Sequence, residues 1–336
     1  MIGRERAENI KWSTSFGLAI KLTLVSVGEL RKLSRWGKNP IITPENGQPW
    51  EVGGTFNPGA IAVDGVTHLL YRAVDAGGTS RMGYARSSDD DVISGRSLTA
   101  VLEPSANWEE FGCEDPRLTR LDGNFYVIYT AYSHRGPRIA LASTQDFSRF
   151  KKYGIIGPDV HDKDCVLFPE LIDGKVAMLH RVDGKIQVAY FASVDELKHP
   201  QNYWDEYMKD LTSVEVIRPR FYWETRKVGS GAPPIKTPKG WLLIYHGVSA
   251  DRIYRAGALL LDLDNPKRVI ARARDPILQP EAEFERLGVV SNVVFPAGAV
   301  VREKELLVYY GGADRVCCAA SAPLDEFLEE LQTERP

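Results

Sequence analysis

The chain has 336 residues, of which 43% are hydrophobic and 26% charged, with a formal net charge of −3. Disorder combines low hydrophobicity with high net charge, so this balance excludes it, and the slight acidity argues against binding nucleic acid by neutralising phosphates. Four cysteines are too few for a disulfide scaffold and indicate free thiols in a reducing, cytoplasmic compartment.

The first part of the chain, residues 1–29, is predicted to be a leader that precedes the folded body. Three basic residues come before the apolar stretch 16–28, which superficially resembles a signal peptide. Lys21 interrupts that stretch, which is also shorter than the about 20 apolar residues that a membrane span needs. We therefore expect no membrane segment, and one folded domain over residues 30–336.

The body of the chain repeats a three-part pattern five times. Each copy opens at a proline beside apolar residues, and these prolines are Pro58, Pro116, Pro169, Pro233 and Pro296. A turn and an apolar run follow, and each run ends in an aromatic residue or His, namely Tyr71, Tyr129, His180, Tyr245 and Tyr309. A strand of small residues closes each copy.

The length of the repeat predicts the architecture. Successive prolines lie 53 to 64 residues apart, and a unit of that length with three or four short strands is typical of a propeller blade. At the C-terminus, Leu324, Phe327, Leu328 and Leu331 recur at helical spacing. The sequence therefore predicts an all-β, five-bladed β-propeller with a short C-terminal helix. Insertions such as 196–226 are expected to be surface loops around one mouth.

Polar residues recur in register with the repeat. A propeller brings equivalent positions of its blades together around one axis, so such residues are expected to share a cavity. Asn57 and Asp115 stand directly before two of the prolines. The residues directly after the repeated aromatic or His, together with one near the end of the fifth copy, are Arg72, Thr130, Arg181, His246 and Asp314.

Asp115, within Glu114-Asp-Pro-Arg117, is the candidate for acid–base chemistry. A carboxyl group in a partly desolvated pocket can serve as a general acid or base. The same residue could instead be a turn aspartate that caps backbone N–H groups. Arg117 has a similar choice between a place in the site and a surface pair with Glu114, which would contribute little.

Arg181, Lys227 and His246, with Lys163 as a weaker member, form a candidate anion site. A cluster of cations in an acidic protein implies a local counter-charge, and a guanidinium supplies a planar fork for phosphate or carboxylate. Taken singly, Lys163 could be solvated and His246 could be a buried packing residue. The segment 161–164 offers metal-ligating side chains, but without further His or Cys at matched spacing we expect no metal site.

Short motifs run in order through about residues 36–330. They are Phe56-Asn-Pro58, Leu70-Tyr-Arg-Ala73, Glu114-Asp-Pro-Arg117, Val166-Leu-Phe-Pro-Glu170, Met178-Leu-His-Arg181, Lys227-Val-Gly-Ser-Gly-Ala-Pro-Pro234, Gly240-Trp-Leu-Leu-Ile-Tyr-His-Gly247, Asn292-Val-Val-Phe-Pro296 and Tyr309-Tyr-Gly-Gly-Ala-Asp314. With these motifs the chain resembles glycoside hydrolase family 130, the mannoside phosphorylases and related β-mannosidases, which are five-bladed propellers.

The resemblance implies a reaction and roles for the candidate residues. Asp115 would be the proton donor, acting through a hydroxyl of the bound mannose. Inorganic phosphate would attack the anomeric carbon from the opposite face, giving α-mannose 1-phosphate with inversion. The implied phosphate ligands are Arg181, Lys227 and His246, with Lys163 in the same site. The residues expected to bind the sugar are Asn57, Arg72, Arg117 and Asp314.

This chemistry needs no cofactor beyond phosphate as co-substrate. Phosphate is already an anionic nucleophile, so one acid and a cationic cradle suffice. The partners expected are a manno-oligosaccharide and phosphate, with no nucleic acid and no membrane, and relatives suggest a homo-oligomer. Acceptor choice is expected to depend on loops 74–80, 104–113 and 196–226. Four aromatic residues of the inter-blade loops could stack on sugars or simply anchor those loops, namely Trp108, Trp204, Tyr222 and Trp223.

Three residues, Lys163, Asp164 and Glu114, depart from the family pattern. Lys163-Asp164 stands where several phosphorylases have Arg-Asn, and Asp164 would repel phosphate if it faced inward. Glu114 replaces a Tyr, which bears on the acceptor sugar. Glu170 is a further carboxylate that keeps hydrolysis open.

Three functions follow from these observations. The leading one is phosphorolysis of a β-1,2- or β-1,4-linked manno-oligosaccharide. The second is an inverting β-mannosidase, in which Glu170 or another carboxylate activates water at roughly 6.5–9.5 Å from the acid. The third is a carbohydrate-binding propeller without catalysis.

Overall fold

Strands dominate the part of the chain that the structure describes. The computed structural model describes residues 32–45, 48–87, 93–200 and 202–334, so the leader predicted over residues 1–29 lies outside the described residues. The fold is all-β with few helices, as the sequence predicts. No helix among the described residues is long and apolar enough to cross a membrane.

The strands form antiparallel units that follow one another along the chain. A short strand, β1 (Ser34–Arg35), precedes them. Unit I contains β2 (Gly54–Val63), β3 (Val66–Val74), β4 (Ser80–Ser87) and β5 (Gly95–Arg96). Unit II contains β6 (Gly112–Leu121), β7 (Asn124–Ser133), β8 (Gly136–Thr144) and β9 (Phe150–Ile155). A single parallel pair, Ser80 with Gly112, joins units I and II into one sheet.

The three remaining units are separate sheets. Unit III contains β10 (Lys163–Leu167), β11 (Val176–Val182), β12 (Lys185–Phe191) and β13 (Glu215–Ile217). Unit IV contains β14 (Lys227–Ser230), β15 (Ile235–Thr237), β16 (Gly240–Val248), β17 (Tyr254–Leu261) and β18 (Val269–Arg272). Unit V contains β19 (Val294–Arg302), β20 (Glu305–Gly312) and β21 (Val316–Pro323). Strand β1 pairs with β21, so unit V uses both ends of the described chain.

The apolar core lies between neighbouring units rather than within any one of them. Five buried clusters join unit I with II, II with III, III with IV, IV with V, and V with I. Successive side chains of a strand point to opposite faces. In β16, Leu242 and Ile244 therefore pack toward unit V, while Leu243 and Tyr245 pack toward unit III. Each unit buries both of its faces in this way.

Few helices accompany the sheets. Three are short: α1 (Val194–Lys198), α2 (Tyr203–Tyr207) and α3 (Glu283–Arg286). The fourth, α4 (Leu324–Thr333), confirms the predicted C-terminal helix, because Phe327, Leu328 and Leu331 are buried in the cluster between units IV and V.

The prediction of a surface loop over 196–226 was wrong for much of its length. The segment carries α2 and also β13, which pairs with β12 as the outer strand of unit III. Trp204 and Trp223 of this segment are buried rather than presented to a ligand. The segment supplies an outer strand and core packing, and both depend on distant partners.

The first strands of units I to III share an irregularity that aims one polar side chain. The pairing register shifts at Asn57 in β2, at Asp115 in β6 and at Asp164 in β10. These residues have φ of 50°, 52° and 55°, the left-handed region that Asn and Asp enter more readily than most residues. The repeat predicted from the sequence was therefore out of register in unit III. The counterpart of Asp115 is Asp164 and not the residue before Pro169.

A buried triad is repeated once in every unit. In each triad, a carboxylate from the segment before the unit's first strand is hydrogen-bonded to a Tyr or His of the next long strand. A third side chain is hydrogen-bonded to at least one of these two residues. The triads are Glu51–Tyr71–Arg96, Glu109–Tyr129–Lys152, Asp162–His180–Tyr207, Glu224–Tyr245–Arg272 and Glu285–Tyr310–Arg35.

The triads explain the aromatic or His residue that recurs in the sequence. In unit IV the Tyr245 hydroxyl donates to Glu224 over 2.5 Å, and Arg272 donates to the same carboxylate over 2.6 Å. Such pairing is needed because an unpaired buried charge is costly. In unit V the aromatic partner is Tyr310 rather than the adjacent Tyr309, and Arg35 of β1 supplies the cation.

Candidate active site

A polar cavity of about 140 Å³ lies where the first strands of several units begin. Its wall comes from all five units, since each supplies residues near the start of its first strand or beyond the end of its second. The lining residues are Asn57, Arg72, Asp115, Lys163, Asp164, Arg181, Lys227, Tyr254, Val290, Val293, Phe295 and Asp314. Seven of the nine residues that the sequence singled out therefore meet here.

Asp115 lies in a network of donors and cations. The Asn57 side-chain amide donates to its Oδ1 over 2.8 Å, and Arg72 Nη1 lies 3.4 Å from the same oxygen. Lys163 Nζ lies 3.9 Å from Oδ2 and 3.4 Å from a Glu114 oxygen. Gly311 makes room for Asn57, because a Cβ there would lie 2.1 Å from its amide oxygen. Asn57 thus fixes one carboxylate oxygen, and Lys163 faces the other.

Asp164 faces the cavity, and its negative charge is held by Arg181. Arg181 Nη1 lies 2.6 Å from Asp164 Oδ2, and His246 Nε2 lies 3.5 Å from that oxygen. The backbone of β14 passes close by at Gly229, where a Cβ would lie 2.4 Å from Asp164 Oδ2 and 2.6 Å from the His246 ring. Glycine is therefore required here for the carboxylate and the imidazole to approach each other.

The balance of charge in the cavity sets the protonation of its groups. Burial alone would raise the pKa of Asp115, but Arg72, Lys163 and Arg117 outweigh it and hold that pKa below its usual value. Burial raises the pKa of Asp314 to about 6, with Asp115 adding to the rise. Burial and the nearby Arg181 lower the pKa of Lys227 to about 8.

Two of the candidate residues do not line the cavity. His246 is fully buried behind Asp164 against Phe295, and burial lowers its pKa to about 3, so the imidazole is neutral. Arg117 is also buried, lies 5.5 Å above the Phe295 ring and donates to the carbonyl oxygen of Asp115. Both therefore contact the residues that form the wall rather than the space inside it.

Glu170, the carboxylate considered for water activation, is not in the site. Its side chain is exposed and pairs with Lys236 at the surface. Glu170 follows Pro169, beyond the end of β10, and does not belong to the lining of the cavity. The carboxylates that line the cavity besides Asp115 are Asp164 and Asp314.

Sequence reasoning missed two aromatic members of the wall. Tyr254 and Phe295 line the cavity, and Lys227 Nζ lies 5.2 Å from the centre of the Tyr254 ring. Phe295 belongs to the motif Asn292-Val-Val-Phe-Pro296, so the sequence could have indicated its place in the wall. Tyr254 begins β17 outside any motif, and the repeat offered no sign of it.

The fold and the cavity define the class: an all-β protein in which a buried carboxylate, Asp115, shares one cavity with Lys163, Arg181 and Lys227. A family model described as beta-1,4-mannooligosaccharide phosphorylase matches residues 32–333. The chain belongs to that family, glycoside hydrolase family 130.

Two similar proteins are named as phosphorylases of β-1,2-linked mannosides. The chain is 39% identical to the 1,2-beta-oligomannan phosphorylase of Thermoanaerobacter sp. (strain X514), over 85% of this chain and 95% of that one. The solved complex of Beta-1,2-Mannobiose phosphorylase from Listeria innocua with beta-1,2-mannobiose matches with a TM-score of 0.77 and 28% identity, covering 90% of this chain and 99% of that one.

A third similar structure concerns hydrolysis. It is described by the words "The GH130 family of mannoside phosphorylases contains glycoside hydrolases that target beta-1,2 mannosidic linkages in Candida mannan". It matches with a TM-score of 0.76 and 28% identity, over 88% of this chain and 95% of that one. The family thus includes both reaction types.

Proposed function

We propose that the protein is an inverting β-mannoside phosphorylase that converts β-1,2- or β-1,4-linked manno-oligosaccharides and phosphate into α-mannose 1-phosphate and a shortened sugar. The observation that carries the proposal is that Lys163, Arg181 and Lys227 line the same small cavity as Asp115. Two of the similar proteins are named for β-1,2-linked substrates, which favours that linkage.

In this proposal the cations bind the phosphate nucleophile. Asp164 holds the Arg181 guanidinium in one orientation through their 2.6 Å contact, and Lys227 supplies a mobile charge from the first strand of unit IV. His246 is neutral and touches Asp164, so it acts by positioning that carboxylate rather than by contacting phosphate. Oriented cations lower the entropic cost of bringing phosphate to the sugar.

Asp115 is proposed as the proton donor, acting through a mannose hydroxyl. In the free site its low pKa keeps it ionised. A bound phosphate adds negative charge beside Lys163, which offsets the cations that lower this pKa and favours the protonated acid. Asn57, Arg72 and Asp314 are proposed to bind the mannose, and Arg117 to support Phe295 from behind.

The same arrangement supports the proposed architecture. We infer that residues 30–336 form a single five-bladed propeller whose blades are units I to V. The inference is supported by the five apolar clusters, which return from unit V to unit I, and by strand β1, which completes unit V. A cytoplasmic location and a homo-oligomeric state stay predictions.

The deciding experiment compares turnover with and without phosphate. The enzyme is incubated with β-1,2- and β-1,4-mannobiose, and products are followed by ³¹P and ¹H NMR, which identify α-mannose 1-phosphate and its anomeric configuration. We expect phosphate-dependent formation of the α-phosphate. Release of free mannose at the same rate without phosphate would contradict the proposal and favour the β-mannosidase.

The β-mannosidase remains the second candidate on a specific observation. Asp164 and Asp314 line the cavity with Asp115, so a second carboxylate is present to activate water. Binding of a mannoside without turnover under either condition would instead favour a non-catalytic carbohydrate-binding protein.

A further inference from the structure

An aromatic residue or His comes directly before the carboxylate of every triad. These residues are Trp50, Trp108, His161, Trp223 and Phe284. Trp223 is fully buried, and its indole N–H donates to the Arg274 carbonyl over 2.8 Å. Trp50 donates to the Leu98 carbonyl over 3.2 Å. Trp108 is 39% exposed, and its indole N–H has no such partner within the described ranges.

The exposed indole of Trp108 is held firmly from behind. The next residue, Glu109, is fully buried and accepts hydrogen bonds from Tyr129 over 2.6 Å, Lys152 over 2.7 Å and the Ser105 backbone over 2.8 Å. Gly154 lies near the ring, where a Cβ would make an ordinary van der Waals contact of 3.7 Å with Cζ2. The hydrogen bonds of Glu109 therefore fix the backbone that carries Trp108, although this residue belongs to a connecting segment.

Trp108 borders a second cavity, of about 330 Å³, whose other lining side chains are mostly polar, with Ile155 as the apolar exception. Asp159 accepts from Arg135 over 2.6 Å and from Arg138 over 3.1 Å, and Glu110 lies 3.2 Å from the His134 ring. An apolar ring face next to planar carboxylate and guanidinium groups matches the chemistry of a sugar residue. The sugar's C–H face packs on an aromatic ring, and its hydroxyls pair with donors and acceptors.

The second cavity and the cavity that contains Asp115 are lined by neighbouring stretches of the chain. Glu110 is five residues before Asp115, and Asp159 is four residues before Lys163. Four residues span at most about 14 Å, so the two cavities are within the reach of one short oligosaccharide. Both lie at the end of unit II where β6 begins and β7 ends.

We propose that this second cavity, lined by Trp108, Arg135, Arg138 and Asp159, is a distal subsite for the leaving-group end of a manno-oligosaccharide. The proposal rests on the proposed function, because a sugar bound at Asp115 by its non-reducing end extends outward from the cavity. A disaccharide is too short to use the subsite. Longer chains gain affinity from stacking on Trp108.

Chain-length dependence tests the subsite. The kcat/KM of Trp108→Ala is measured for β-1,2-mannobiose, -triose and -tetraose. We expect disaccharide turnover within twofold of wild type and a roughly threefold to tenfold loss for the tetraose, the range given by loss of an aromatic contact. Arg135→Ala, a change at an exposed side chain, is expected to act in the same direction. An equal effect on all chain lengths, or none, would overturn the proposal.

A matched control and a binding measurement separate this proposal from the proposed function. Tyr222→Ala removes another exposed aromatic, 65% exposed and outside both cavities, and should leave the chain-length profile unchanged. If the wild type turns over no mannoside, the proposed function fails. Calorimetric titration with β-1,2-mannotetraose then decides the subsite: weaker binding by Trp108→Ala supports it, and unchanged or absent binding overturns it.

Discussion

Buried carboxylates occur in two settings in this molecule, the five triads and the candidate active-site cavity. Each triad carboxylate has an aromatic hydroxyl or imidazole and, in four of the five units, a cation within hydrogen-bond distance. Two of the three carboxylates that line the cavity are paired less closely: Asp115 has Asn57 and two loosely placed cations, and burial raises the pKa of Asp314. The third, Asp164, is paired with Arg181 at 2.6 Å. Groups that repeat in every unit stabilise the fold, whereas groups that differ between units face the cavity.

The two settings differ in how fully nearby donors and cations balance the buried negative charge. A buried charge that is paired and hydrogen-bonded is stable, whereas one left partly unpaired costs free energy and has a shifted pKa. In the proposed function the cavity keeps this cost because a preorganised set of charges stabilises a reaction's transition state. The same substitution, carboxylate to amide, should therefore have opposite consequences in the two settings.

The largest expected effect is that of Asp115→Asn on the reaction. Loss of the proton donor should lower kcat by about 10²–10⁴-fold, the usual contribution of general acid catalysis. The free energy of unfolding should fall by a smaller amount, because the nearby cations that hold the pKa of Asp115 low lose a counter-charge. Steady-state kinetics with β-1,2-mannobiose and urea unfolding measure the two quantities. The amide keeps the left-handed backbone conformation at this position. A variant that unfolds readily, with kcat hardly changed, would place Asp115 among the structural carboxylates.

The reverse result is expected for Glu224→Gln in the triad of unit IV. It leaves Arg272, which is nearly fully buried, without a counter-charge, and breaking a buried pair costs about 3–5 kcal/mol. Urea unfolding should show this loss, whereas KM for phosphate at a temperature where the variant is folded should stay near that of wild type. Glu215→Gln is the matched control, since its pairs with Lys185 and Arg218 lie nearer the surface. Equal losses for the two variants would contradict the comparison.

Asp314→Asn should stabilise the protein while weakening mannoside binding. Burial raises the pKa of Asp314 to about 6, above its unfolded value, so the native state binds the extra proton. Stability is therefore lost as pH rises through about 4 to 6, and Asn removes that loss. At pH 7.5 we expect a gain of about 1–3 kcal/mol, with no gain at pH 4. A gain that is independent of pH would show another origin.

The smallest effect is a pH dependence at Lys227. Burial and Arg181 lower its pKa to about 8 in the free site, so its positive charge is lost as the pH rises through that value. KM for phosphate should therefore increase severalfold between pH 7 and pH 9. Lys227→Arg, which stays charged over this range, should flatten the profile. A profile unchanged by that substitution would assign the pH dependence to another group.

Much of the fold could be predicted because it repeats. The spacing of prolines, apolar runs and aromatic residues marked five units, and the all-β class and the C-terminal helix were confirmed. The triads have a further sequence signal, because an aromatic residue or His precedes each triad carboxylate, as in Trp223-Glu224. The register within unit III could not be deduced, because Asp164 has no proline after it.

The cavity was predicted less completely. One cavity is lined, as the repeat predicted, by Asn57, Arg72, Asp115, Lys163, Arg181, Lys227 and Asp314. Residue type alone did not show that His246 and Arg117 lie behind the wall, or that Glu170 points to the surface. Those outcomes depend on which strand edge or ring packs over each side chain.

The amino-acid sequence by itself determined the repeated β units, the family and the chemistry available to the site, since these depend on local pattern and residue type. The tertiary structure decided which of several residues of the same type are buried in the core and which are exposed. Trp108 and Trp223 hold the same place in the repeat, yet Trp223 is buried and Trp108 is exposed. The reason is physical: burial and pairing are supplied by segments distant in the chain, and only the folded protein brings those segments together.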